Sequence, residues 1–533
     1  MTDNNDDYFG SLTKRDFLQS IGMIGGSAAV MTALRGWEIS SAATMEKPPT
    51  LTTDGNGKTL LILGGGLAGM VTAIEMRKKG YDVKILEAKE TPGGRCVTAR
   101  KGTVIQDVGG ETQTCQFENN QYLNIGPWRI PAEHKAVLHY CKTLNVPLEV
   151  FVNKAIYSYY YSEKSEGPLN NKSIKQVEAD TDRAGRIHEL LAKCAADGSL
   201  DDKLEQEDIE KLIEYLKDAG LLNAKDLTYK ANQARGYSRY PKIGMDDGDL
   251  SEPFALRDLL NYKFGGKYED ADHPGVMFQP VGGMDQIARA MERAIPKSIF
   301  RFNAEISDII QSDDGVNVTF TDTKTGKVET ASADYCISCL PFPLLNKINT
   351  DFSDEVVDAL KAPAAAPVVK LGQQFNHRFW EDQMIYGGVT HTDIPGHEDI
   401  SYPSSDLHGN MGGVILTSYA KRGNSITLGN KNIEDRNEQG LDAMEKIHPG
   451  LARKHYNGKS ISIAWHKQEY ALAGWVRWSN RNRRRKFPAL LKGEKRVLFA
   501  GGGMAPQHTG WMVGAIESAW HSIGDLDKRV SQG

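Results

Sequence analysis

Gly64, Gly66 and Gly69 lie in Leu60-Leu-Ile-Leu-Gly-Gly-Gly-Leu-Ala-Gly69, and Glu87 closes the apolar run Val83-Lys-Ile-Leu-Glu87. The first glycine permits a tight strand-to-helix turn, the second lets the backbone approach a pyrophosphate, and the third lets helix and strand pack closely. Phosphates held there would sit on a helix N-terminus, where free N–H groups and the helix dipole favour anions. Glu87 follows at roughly the 20-residue spacing of a carboxylate that accepts hydrogen bonds from a ribose. The apolar strand before the glycines, the helix-like run after them and the acid beyond it together predict a bound dinucleotide. Its contacts would come from Gly64, Gly66, Leu67, Ala68, Gly69, Glu87 and Ala88.

Gly93-Gly94-Arg95 comes next, a second permissive turn with a cation suited to closing over the same pyrophosphate. That pairing resembles the flavoproteins with two dinucleotide-binding domains and favours FAD over NAD. Asp107-Val-Gly-Gly-Glu111 is either another turn near the flavin or a plain hairpin turn. Near the C-terminus, Val497-Leu-Phe-Ala-Gly-Gly-Gly-Met-Ala505 reads as a buried strand and glycine turn, followed by Gly510-Trp-Met-Val-Gly514 and a helix. A helix beginning near Trp511 would aim N–H groups at the N1/O2 edge of a flavin, where negative charge gathers on reduction.

With 533 residues, 40% hydrophobic and 25% charged, the chain can build two or three cores. A net charge of −5 is mild, and nothing global points to nucleic acid or to stable membrane insertion. The local exception, Arg481-Asn-Arg-Arg-Arg-Lys486, reads as a solvated loop or as a patch that attracts anions. Six cysteines show no disulfide rhythm. Cys336 and Cys339 form a CxxC in what reads as a short buried strand ending at Pro341, and with no second pair no metal site is expected. Cys96 and Cys115 are expected as small buried apolar residues.

Thr13-Lys-Arg-Asp-Phe-Leu18 resembles a twin-arginine export motif with lysine in place of the first arginine. Residues 21–34 are glycine- and alanine-rich and too weakly apolar to span a bilayer, Ser41-Ala42-Ala43 offers a cleavage site, and a linker follows. Export of a folded, cofactor-loaded protein to the periplasm is the expectation, with a basic leader on a cytoplasmic protein as the alternative.

These motifs need an α/β scaffold (α+β overall) with a discontinuous cofactor domain. Residues 1–57 are leader and linker. Residues 58–115, 278–340 and 466–533 form the expected Rossmann-like FAD-binding domain. Residues 116–172, 236–277 and 341–465 form a mixed-sheet substrate-binding domain. Strand-like alternation marks 299–310, 315–320 and 333–338, with Ile306 placed near the adenine. Helical periodicity over 187–196 and 206–222 suggests a helical insertion at 173–235.

The chain resembles the flavin amine oxidases, and within them the L-amino-acid oxidases, from about Lys58 onwards. The carrying segment is Gly126-Pro-Trp-Arg-Ile-Pro131, which matches the family's GPxR(I/L)P motif, together with Ile400-Ser-Tyr-Pro403. The resemblance implies that Arg129 binds the substrate carboxylate with Tyr402 as its hydroxyl partner, and that Gly126, Pro127 and Trp128 border the flavin. A guanidinium fork suits a carboxylate bidentately. The resemblance also makes Lys370, in Val368-Val-Lys-Leu-Gly372, the lysine that holds a water beside the flavin and promotes reaction with oxygen. Trp475 and Trp511 become the aromatic pair framing the substrate, Gly510 the carbonyl that receives its amine, and Gly501, Gly502 and Met512 flavin contacts.

The implied reaction is oxidative deamination of an L-α-amino acid by hydride transfer from Cα to flavin N5. Water then gives a 2-oxo acid and ammonia, and O2 reoxidises the flavin to yield hydrogen peroxide. Monoamine or polyamine oxidation, amino-acid monooxygenation and quinone-linked dehydrogenation stay open, as do side-chain preference and homo-oligomer formation. Three departures stand out, one of them Trp128, which stands where several relatives have methionine. The family's FAGE turn reads Phe499-Ala-Gly-Gly502, without its acid, and Gly474 stands where some relatives attach flavin through cysteine, so FAD is expected to be non-covalent.

Overall fold

The computed structural model describes residues 46–55, 57–244, 246–262 and 273–532, so the leader motif at 13–18 lies outside the described residues. The described helices and strands belong to the unit Pro48–Gly533.

β1 (Thr59–Leu63) buries all but its first residue, and the turn at Gly64 (φ 95°) feeds α1 (Leu67–Lys78). Residues from Leu67 to Met76 are all buried, because α1 is covered by the sheet on one side and by other helices on the other. A helix covered all round has no need of an amphipathic stripe. Gly69 sits where helix and strand meet, and a Cβ there would lie 2.1 Å from the Gly64 carbonyl oxygen. β2 (Asp82–Leu86) runs parallel to β1, with Leu60 opposite Val83 and Leu63 opposite Leu86.

α2 (Gln176–Ala196) begins well before the predicted 187, while α3 (Gln206–Gly220) follows the periodicity. The early turns of α2 escaped the pattern because they bury polar side chains. Asp182 is fully buried and accepts hydrogen bonds from Arg235 Nε (2.9 Å), Tyr229 O–H (2.8 Å) and Phe254 N–H (2.7 Å).

β3 (Phe300–Arg301), β4 (Ala304–Gln311) and β5 (Tyr335–Ser338) follow. Between β4 and β5, strand Val316–Asp322 falls at the expected 315–320, whereas Val328–Ala333, exposed at every second residue up to Ser332, carries no large apolar residue after Val328. β6 (Val368–Phe375) is buried at every position, and β7 (Gly413–Lys421) and β8 (Tyr456–Ala464) flank it.

The basic run falls on α4 (Asn480–Lys492), which corrects the loop reading. Ser479 caps that helix by accepting the Asn482 N–H, which offsets the unfavourable cations in its first turns. β9 (Val497–Phe499) and α5 (Met512–Ser531) complete the chain.

β3, β2, β1, β5 and β9 form, in that order, a wholly parallel sheet. Parallel strands share one carboxyl edge, so the glycine turns after β1 and β9 open on the same side, where ligands of open α/β sheets bind. β8, β6 and β7 begin a seven-stranded sheet continued by Asp399–Ser401, Val389–Thr392, Tyr159–Tyr161 and Ile174–Lys175. Among the described residues no helix is long and apolar enough to cross a membrane.

Candidate active site

One cavity of about 570 Å³ runs from the Gly64 turn to the cavity-facing side of β6 and β7. Its dinucleotide end is a double glycine turn. The Gly93 N–H donates to the Gly65 carbonyl (2.8 Å), and a Cβ on Gly94 (φ 58°) would sit 3.3 Å from Gly66 Cα. Two backbones therefore meet with no side chain between them, next to the uncapped first turn of α1. Arg95 lines the same region and donates to the Gly474 carbonyl (2.8 Å). Burial alone pulls its pKa down, with no carboxylate opposing the shift. A guanidinium beside an N-terminal helix turn fits a pyrophosphate.

Glu87 is buried and accepts the backbone N–H groups of Gly65 (2.6 Å) and Lys89 (2.9 Å). Burial raises its pKa more than these donors lower it. Gly502 faces Arg95: among the described residues beyond its chain neighbours, a Cβ there would meet only the guanidinium Nη2, at 3.9 Å. The missing acid thus leaves room beside the cation. At the other end of the cofactor trough, Trp511 is the N-cap residue of α5, and a Cβ on Gly510 (φ 90°) would lie 3.3 Å from the Trp475 ring.

Of the residues assigned from the sequence to cofactor or substrate, all line this cavity except Gly69 and Tyr402. Gly69 instead permits the close packing of α1 on β1. Tyr402 is a correction. Its side chain is fully buried among Phe375, Phe379, Trp380 and Ile400, and its hydroxyl lies between Thr390 Oγ1 (3.0 Å) and His448 Nε2 (2.7 Å). The Asp107 turn also stays outside the cavity. It joins strands Val104–Gln106 and Thr112–Thr114, and Asp107 pairs with Arg436 at 2.9 Å.

Two other tyrosines line the cavity, Tyr470 and Tyr419. Lys370 on β6 is paired directly with Tyr419 on β7, and Val368 with Lys421. Directly opposed residues share a sheet face, and so do residues two apart on a strand, which places Lys370, Tyr419 and Lys421 on one face. All three line the cavity. Lys370 Nζ lies 4.7 Å and Lys421 Nζ 4.3 Å from the Tyr419 ring centroid. Trp128 meets that ring edge-on at 5.4 Å, and the Arg129 guanidinium lies 4.4 Å from Trp128 and 5.9 Å from Trp511.

Lys370 is buried and donates to the carbonyls of Gly126 (2.6 Å) and Asn124 (3.1 Å). Burial, then the charges of Arg129 and Lys421, hold its pKa well below the usual lysine value. Tyr419 and Lys421 went unnoticed in the sequence, although the alternation in Thr417-Ser-Tyr-Ala-Lys421 carries them. What was missing was the register of β6 against β7.

The family model for flavin containing amine oxidoreductases matches residues 67–522. An L-amino-acid oxidase of Crotalus adamanteus is 26% identical over 493 residues, covering 90% of this chain and 88% of its own. A putative L-amino-acid oxidase of Bacillus subtilis, YobN, is 24% identical over 470 residues, covering 86% and 93%. Among solved structures, putrescine oxidase bound to putrescine has a TM-score of 0.57 at 15% identity, covering 89% of this chain and 99% of its own. Cyclohexylamine oxidase from Brevibacterium oxydans IH-35A has the same TM-score and identity. The glycine cradle and the family match agree on the cofactor, FAD. The chain belongs to the flavin-containing amine oxidoreductases and is an FAD-dependent enzyme of that family.

Proposed function

We propose that the enzyme oxidatively deaminates L-α-amino acids to 2-oxo acids, ammonia and hydrogen peroxide. The observation that carries this reading is the half-buried arginine between two tryptophans at the substrate end. A simple amine has nothing for Arg129 to hold, whereas a carboxylate meets its fork and, we add, the hydroxyl of Tyr419 in place of Tyr402. Trp475 and Trp511 border the same end, and the Gly510 carbonyl is the acceptor for the substrate amine. Anchoring the carboxylate and the amine fixes where the Cα–H points, so positioning supplies much of the rate.

Bound FAD supplies the two-electron acceptor. Burial favours the neutral form of Lys370, and two of its N–H donors go to backbone carbonyls. The lone pair of that form would accept from a water, which supports a role in the reaction with oxygen. The curated relatives named as L-amino-acid oxidases support the substrate class.

Anaerobic bleaching of the flavin tests the reading with L-amino acids, their D-enantiomers and the matching decarboxylated amines. Bleaching by L-amino acids alone is expected, and bleaching by the amines would overturn it. Arg129→Ala should lower kcat/KM by at least about two orders of magnitude, since a charged bidentate contact is worth on the order of 3 kcal/mol. Product analysis separates neighbouring chemistries: an amide with carbon dioxide would mean a monooxygenase, and absence of peroxide a dehydrogenase.

A further inference from the structure

We infer that Lys421 forms a second anion subsite in the cavity and that the preferred substrates carry a carboxylate on the side chain. The inference rests on the proposed amino-acid oxidation and names the substrate class within it. Lys421 reaches the cavity because it lies two residues from Tyr419 on β7, on the same sheet face as Lys370.

Its ammonium is anchored from behind. Asp399 Oδ2 accepts from Lys421 Nζ at 2.9 Å, while Oδ1 meets His391 Nδ1 at 3.0 Å. Neither Asp399 nor His391 lines the cavity. Asp399 therefore fixes the cation without standing between it and a ligand. The Lys421 side chain is 38% exposed, and an ammonium has three donors, of which Asp399 takes one. Among the described residues, the acids that line the cavity are Glu87 and Glu305, beside the Gly65 turn and Ile306 at the dinucleotide end.

The space between the two cations is floored by rings. Arg129 lies against Trp128, Trp128 against Tyr419, and Tyr419 against Lys421. Side-chain methylenes can cross that aromatic floor, with the α-carboxylate on Arg129 and the distal carboxylate on Lys421. A basic side chain on the same path would meet like charge, which disfavours L-lysine and L-arginine.

Two measurements on the FAD-loaded enzyme test this. The first compares kcat/KM for L-glutamate, L-glutamine, L-leucine and L-lysine in wild type, Lys421→Met and Lys421→Arg. Wild type should prefer L-glutamate to L-glutamine, Lys421→Met should shrink that ratio by at least about tenfold, and Lys421→Arg should restore most of it. The second titrates glutarate and butyrate as unreactive ligands, read by perturbation of the visible flavin spectrum, which also reports whether each variant keeps its cofactor. Glutarate should bind more tightly than butyrate only where residue 421 is cationic.

An unchanged glutamate-to-glutamine ratio in Lys421→Met, or equal binding of glutarate and butyrate by wild type, would overturn the subsite. If no L-amino acid bleaches the flavin, the proposed function fails, and the glutarate titration still decides whether Lys421 binds a second carboxylate.

Discussion

Two tyrosines make opposite predictions when their hydroxyls are removed. Tyr402→Phe deletes an oxygen that lies 2.7 Å from His448 Nε2 and 3.0 Å from Thr390 Oγ1, all buried. His448 Nε2 loses its partner, whereas Thr390 Oγ1 keeps the Tyr159 N–H at 3.0 Å, and leaving a buried polar group unsatisfied costs about 1–3 kcal/mol. For a unit of this size, roughly 2 cal/mol/K per residue of unfolding entropy turns that into a fall in Tm of only about 1–3 °C. Substrate kinetics should stay within about twofold, because Tyr402 is outside the cavity. Tyr419→Phe should do the reverse. It removes a hydroxyl from a side chain that lines the cavity with Arg129, and loss of a hydrogen bond to a charged carboxylate, about 1.5–3 kcal/mol, lowers kcat/KM by about 10- to 150-fold. The assay pairs thermal melts of the FAD-loaded variants with anaerobic flavin reduction by an L-amino acid. A kinetic defect in Tyr402→Phe at unchanged Tm, with Tyr419→Phe like wild type, would refute the reassignment.

Gly69→Ala should cost at least about 1–3 kcal/mol and lower the flavin-to-protein ratio, because its Cβ would meet backbone rather than a flexible side chain. Full flavin content with an unchanged melt would contradict this. His448 is held neutral by burial, its pKa lowered to about 3, whereas an unfolded histidine takes its proton near 6.5. The unfolded chain then binds the extra proton between those values, so stability falls as pH drops from about 6.5 towards 3. His448→Gln should make Tm against pH shallower over that window, and an unaltered slope would count against the assignment. Lys370→Met should slow reoxidation of the reduced enzyme by O2 at least about tenfold, and more than it slows flavin reduction, as stopped-flow mixing would show. Equal slowing of both halves would tie Lys370 to substrate instead.

The cofactor end was legible because its chemistry is local. Gly64, Gly66 and Gly69 act through backbone conformation and close approach, and each requirement falls within a few residues of the next, as does the helix start at Trp511. Arg129 and Lys370 were singled out by the family resemblance, through Gly126–Pro131 and Val368–Gly372. The long polar opening of α2, the exposed strand Val328–Ala333 and the capped basic helix α4 were not legible. Their burial and caps depend on partners such as Arg235 and Ser479 that no hydrophobic period reveals.

Tyr402 and Tyr419 mark the boundary most clearly. The sequence by itself pointed to a dinucleotide cradle and a flavin-type architecture, and the resemblance it carries proposed the cations Arg129 and Lys370, which both line the cavity. Tertiary structure alone decided which tyrosine joins them, because a side chain's face on a strand is set by period 2, but what that face looks onto is set by register with a strand some fifty residues away. β6 against β7 puts Tyr419 and Lys421 into the cavity with Lys370, and the core closes over Tyr402 instead.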